Sequence, residues 1–138
     1  MGTRKKNISF EISSTPDQIT AVIKKLEDFL AQANVPDEFI NEAGLGLSEA
    51  VANAIIHGNQ LNPHKVVFIQ LILDPQRLLM TVTDQGKGFH PDKIPNPLTE
   101  ENRMKTSGRG IYLIKASIDR VSFKKLATGM QVKLIKYL

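Results

Sequence analysis

Ser48-Glu49-Ala50-Val51-Ala52-Asn53-Ala54 and, about thirty residues on, Asp84-Gln85-Gly86-Lys87-Gly88 decide how this chain is read. A spacing of four puts the Glu49 carboxylate and the Asn53 carboxamide on one face of a helix. Glu42, Gly46 and His57 extend the same stripe. A polar stripe taken alone is a solvated face, but two residues in this one argue for more. Gly46 costs a helix interior about 1 kcal/mol relative to Ala, so something is expected to approach it closely. Asn53 is a poor helix former set among Ala and Val.

Working outward, Ile8, Phe10 and Ile12 alternate with polar residues as in a strand with one buried face. Thr15 and Pro16 predict a helix start, with Thr15 as N-cap and Pro16 at the first position. Ile19, Val22, Ile23, Leu26, Phe29 and Leu30 continue it at helical spacing, and Asn34-Val35-Pro36-Asp37 closes it and opens a second helix. Ile40, Ala43, Leu47, Val51, Ala54 and Ile55 stripe that helix to about Gly58. Val66 to Leu73 and Leu78 to Thr83 read as strands joined by the turn Asp74-Pro75-Gln76-Arg77. Leu78, Met80, Val82 and Asp84 share a strand face, which puts a carboxylate at the end of an apolar row. Residues 85–107 lack periodicity and carry Pro91, Pro95 and Pro97, a length of loop that is usually functional, here read as a lid over a ligand. Ile111 to Ser117 is predicted as a helix, and Arg120 to Lys125 and Met130 to Tyr137 as strands. This order predicts a single α+β domain over residues 1–138, a two-layer sandwich with helices on one face of a mixed, mostly antiparallel sheet.

The polar residues fit a particular chemistry. A carboxamide oxygen suits Mg²⁺, which keeps waters and takes few protein ligands besides phosphate oxygens. Glu49, one turn earlier, is placed to accept a proton from an attacking hydroxyl. Asp84 ends a strand before glycine, where Asp is ordinarily a turn residue. On an apolar face, however, its carboxylate needs a donor to offset burial, and the exocyclic amino group of adenine is one. Gly86 and Gly88 allow a tight turn beneath a base. Gly108-Arg109-Gly110 opens a helix whose free N–H groups favour anions, with Ser107 as cap or phosphate neighbour. Arg103 and Lys105 rival Arg109 as the phosphate-neutralising cation. No Walker A or Rossmann glycine pattern is present.

Composition narrows the class further. With no cysteine there is neither a disulfide framework nor a thiolate metal site. The net charge of +4 is spread along the chain rather than clustered, so direct nucleic-acid binding is not expected. The longest apolar run, Val66 to Leu73, is interrupted by Gln70 and far short of the ~20 residues that span a bilayer. Arg4-Lys5-Lys6 leads into Asn7-Ile8-Ser9 with no apolar run behind it. A soluble, cytoplasmic protein is expected.

The blocks Glu49–Asn59, Thr83–Phe89 and Ser107–Ile114 together resemble the ATP site of the GHKL superfamily (gyrase, Hsp90, histidine kinase and MutL ATPases), which shares the Bergerat fold. Within it the chain is most similar to the anti-sigma factor serine/threonine kinases. The resemblance implies ATP and Mg²⁺ as ligands, Glu49 as base, and Asn53 as metal ligand. It gives Asp84 the adenine amino group, and Gly86, Gly88, Ser107, Gly108, Arg109 and Gly110 the rest of the nucleotide, with His57 at the edge. It also implies a homodimer that binds a sigma factor and phosphorylates a Ser or Thr of a small antagonist protein. The alternative within the same resemblance is an ATP-binding module that sequesters a regulator without catalysis. Two positions depart from the wider pattern. Met130 follows Gly129 where many relatives carry Thr, and Ile56 stands where typical histidine kinases carry a basic residue.

Overall fold

A computed structural model describes residues 5–86 and 117–138 of the chain. Its strands are β1 (Lys6–Ser13), β2 (Val66–Leu73), β3 (Arg77–Thr83), β4 (Arg120–Leu126) and β5 (Gly129–Tyr137). They form one sheet in the order β1-β2-β3-β5-β4, and every neighbouring pair is antiparallel. The mixed pairing expected from sequence is therefore not seen among the described residues; both hairpins close with short turns that only antiparallel partners can use. In the β2–β3 turn the Asp74 carboxylate accepts from Gln76 N and Arg77 N at 2.8 and 2.9 Å.

Helices α1 (Gln18–Leu30) and α2 (Asp37–Asn53) cover one sheet face. Val22, Leu26 and Leu30 of α1, with Ala43, Leu47 and Val51 of α2, meet the inward row of Val67, Ile69, Leu71, Leu78, Met80, Val82 and Leu134. The start of α1 differs from expectation. Thr15 and Pro16 lie in a preceding turn, where Gln18 N and Ile19 N donate to their carbonyls, and the helix begins two residues later. The N-cap position falls on Asp17, and no side chain among the described residues caps the helix; the Thr15 hydroxyl meets Ser13 Oγ at 3.4 Å.

The end of α2 also differs. The apolar stripe runs to Gly58 as predicted, but the α-helical ladder stops at Asn53 and a π turn, Ala54–Gly58, carries the chain on. Asn59 N donates to Ala54 O at 2.8 Å, the wider ring of a π turn. Side-chain spacing does not report which carbonyl an amide selects, so this widening is not written in the periodicity. The predicted helix 111–117 lies outside the described residues except for Ser117.

Candidate nucleotide site

Asp84 follows the last residue of β3 on the inward row, and its residue is only 4% exposed. The alternation of the strand puts it there, as the sequence predicts. Its Oδ1 accepts from Gly86 N at 3.0 Å and Met130 N at 3.1 Å. Its own N donates to Met130 O at 3.0 Å. Among the described residues no donor reaches Oδ2. Burial raises the pKa of this carboxyl, while the two backbone N–H bonds, and more weakly the charge of Lys65, pull it down.

Glycines make room for this carboxylate. A Cβ on Gly58 would overlap Asp84 Oδ2, and one on Gly86 would overlap the Gly58 carbonyl. Gly129, with φ of +149°, passes so close to the Asp84 carbonyl that a side chain would collide. What the structure gives Gly86 is close packing on the π turn, at the Gly58 carbonyl. Met130 meets Asp84 through its backbone, and its side chain is buried.

Beside Asp84 a narrow crevice is lined by Ala50, Asn53, Ala54, Val82, Asp84, Phe123 and Val132. The fold therefore brings Asn53 and Asp84 together, with small alanines flanking the carboxamide and apolar surface around both. Glu49 lies one turn up α2, half-buried and with no hydrogen bond or ion pair among the described residues. His57 is exposed in the π turn and does not line the crevice. Gly88, Ser107, Gly108, Arg109 and Gly110, with most of the expected lid, lie outside the described residues.

Two members of the predicted polar stripe serve the fold. A Cβ on Gly46 would come within 2.5 Å of Ile118 Cγ1, so the close approach expected there is made by Ile118. Glu42 Oε2 accepts from Lys136 Nζ at 2.5 Å, and that lysine lowers the pKa of the acid. Lys136 also donates to Ser117 O at 3.1 Å and lies 5.4 Å from the Phe39 ring centre. Asn59 carries a part of the site that sequence reasoning missed. It is buried and binds residues from three other segments, and the sequence marks it only as the last residue of the Glu49–Asn59 block, with no role.

One carboxamide and no group of three His, Cys, Asp or Glu among the described residues is a donor set too sparse for a protein-caged metal. It fits Mg²⁺ held mainly by phosphate and water. At about 10 Å³ the crevice is too small to hold a purine base in this structure; what matches a purine is its chemistry, apolar walls and one buried carboxylate. The chain belongs to the histidine kinase-like ATPase domain family, whose model matches residues 12–136. Within that family it falls in the anti-sigma regulatory branch. It is 33% identical over 135 residues to an anti-sigma F factor of Bacillus cytotoxicus, covering 96% of this chain and 91% of that protein. It is 34% identical over 113 residues to an anti-sigma F factor of Anoxybacillus flavithermus, covering 80% and 77%. The fold is similar to the crystal structure of the RsbU and RsbW domains of Rv1364c from Mycobacterium tuberculosis. The TM-score there is 0.65 at 19% identity, over 95% of this chain and 32% of that one.

Proposed function

We propose that this chain is a cytoplasmic, anti-sigma-type serine/threonine protein kinase that uses Mg²⁺-ATP to phosphorylate a small antagonist protein and also binds a sigma factor. The observation that carries the ATP reading is the buried Asp84, which lines the crevice with Asn53, has Oδ1 committed to two backbone donors and has no donor on Oδ2 among the described residues. Oδ2 accepts the adenine amino group, and guanine, with a carbonyl at that position, is refused. Mg²⁺ at the Asn53 carboxamide supplies neutralisation of phosphate charge. Glu49 takes the proton as a substrate hydroxyl oxygen bonds to the γ-phosphorus and the bond to the β-phosphate oxygen breaks, leaving ADP. Ser107, Gly108, Arg109 and Gly110, with Gly88, are assigned to the phosphates by resemblance. Positioning and charge neutralisation carry most of such a transfer, so a small site suffices. The sigma-factor partner is carried over from the anti-sigma F factors to which the chain is similar, and the antagonist from the family resemblance of the sequence.

Calorimetric titration with ATP, with and without Mg²⁺, tests the site. Asp84→Asn is expected to weaken ATP binding by about 1–3 kcal/mol through loss of the charged acceptor; unchanged affinity would place the site elsewhere. Glu49→Gln is expected to keep ATP binding and to slow phosphoryl transfer to the antagonist by about 10²-fold or more. Equal rates would remove the base role, and no transfer by either protein would leave the sequestering module as the reading.

A further inference from the structure

We propose that Asn59 is the positioning residue of the base-reading end of the site: its carboxamide clamps Gln85, and through it Gly86, so that Asp84 offers Oδ2 to a ligand donor. The proposal rests on Asp84 as the adenine acceptor, and its test separates the two.

Asn59 is 1% exposed, and its amide is saturated by protein. Nδ2 donates to Ser14 Oγ at 2.7 Å and to Val66 O at 2.9 Å, and Oδ1 accepts from Gln85 N at 2.7 Å. The orientation of the amide is fixed by its neighbours. The single Ser14 hydroxyl proton goes to Lys65 O at 2.7 Å, so that oxygen is left to accept. A flipped amide would set Oδ1 against the Ser14 oxygen and the Val66 carbonyl and Nδ2 against the Gln85 N–H, three repulsive contacts in place of three bonds. A second strut holds the same residue, because Gln85 Oε1 accepts from Val66 N at 2.8 Å. Gln85 is thereby tied to Val66, the first residue of β2, directly by its side chain and through Asn59 by its backbone.

The consequence falls on Asp84. Gly86 N, one residue beyond the clamp, donates to Asp84 Oδ1, and Gly86 lies against the carbonyl of Gly58, the residue next to Asn59. Releasing Gln85 frees that N–H, and Oδ1 keeps only Met130 N. The carboxylate then loses half of what distinguishes its two oxygens. A scaffold role alone would need only the bonds joining the ends of β1 and β2, and Ser14 shares in those without touching Gln85.

The test compares wild type, Asn59→Ala and Ser14→Ala in three readouts: thermal melting, the ¹³C NMR titration of the Asp84 carboxyl without nucleotide, and calorimetry with ATP and with GTP. Both variants are expected to melt lower. Only Asn59→Ala is expected to move the Asp84 titration upward and to weaken ATP roughly five- to tenfold with GTP unchanged, the scale of one lost hydrogen bond. In an Asp84→Asn background the same substitution is expected to leave ATP affinity where it was. A folded Asn59→Ala protein with an unmoved Asp84 titration overturns the proposal, as does a Ser14→Ala protein showing the same shift and the same selectivity loss. If the wild type binds neither nucleotide while Asn59→Ala still moves the titration, positioning stands and the adenine reading falls. Should Asn59→Ala not fold, Gln85→Ala at an exposed position cuts the other strut. It is expected to move the Asp84 titration the same way by less, and no movement overturns the proposal.

Discussion

At the residue scale, Asp84 sets function against stability. Its folded pKa is raised by burial above the unfolded value, so between those two values the folded state holds more protons than the unfolded. Stability is then full below the unfolded pKa and falls as pH rises through the folded one. Asp84→Asn removes that dependence, and its carboxamide oxygen can still accept from Gly86 N and Met130 N. In the absence of nucleotide the variant is expected to melt no lower than wild type at neutral pH, with a flatter profile across the acid side. Denaturation followed from pH 4 to pH 8 checks this, and a variant that keeps the wild-type slope would locate the titration in another group. That the carboxylate faces inward was legible from the two-residue alternation of Leu78, Met80, Val82 and Asp84. Asn59 was not, since Ser14, Val66 and Gln85 become its neighbours only when β1, β2 and the segment after β3 have assembled.

At the scale of the element, α2 shows how one spacing rule serves two purposes. Its apolar stripe was readable, and so was the shared face of Glu49 and Asn53. The same polar stripe also holds Glu42 and Gly46, whose partners Lys136 and Ile118 lie beyond the lid region and cannot be found from helix periodicity. The change to π bonding after Asn53 was equally hidden, because periodicity fixes faces and not hydrogen-bond rings. Two glycines in this helix separate intrinsic cost from packing need. A Cβ on Gly44 would meet only Ile23 Cγ2, at an ordinary 3.9 Å. Gly44→Ala is therefore expected to stabilise the protein by about 0.4–1 kcal/mol through helix propensity and a less flexible unfolded chain. Gly46→Ala drives a methyl into Ile118 and is expected to destabilise by about 1–3 kcal/mol. Urea unfolding of the pair decides it: a stabilised Gly46→Ala would mean that Ile118 yields freely.

For the whole molecule, the sheet face turned away from α1 and α2 bears on assembly. Cross-strand registers give it three rows: Asn7–Ile72–Leu79–Ile135–Arg120, Ser9–Gln70–Thr81–Lys133–Ser122 and Glu11–Phe68–Thr83–Gln131–Lys124. Ile72, Leu79 and Ile135 make an apolar centre to the first row, and Phe68 and Tyr137 on the same face remain 42% and 47% exposed. No described helix covers them, and we predict that the homodimer implied by the family resemblance forms on this face. Its charge is uneven, with Glu11 at the β1 edge and Arg120, Lys124 and Lys133 toward β4. A two-fold axis along the strands sets the basic side of one copy over the Glu11 side of the other, whereas an axis across the strands opposes like charges. Leu79→Lys places a charge in the middle of the apolar row without touching the core on the helical side. It is expected to yield a monomer in sedimentation equilibrium under conditions where the wild type is dimeric, with melting temperature and ATP affinity little changed. A Leu79→Lys protein that still sediments as a dimer would move the interface off this face, and a monomeric wild type would remove the dimer altogether.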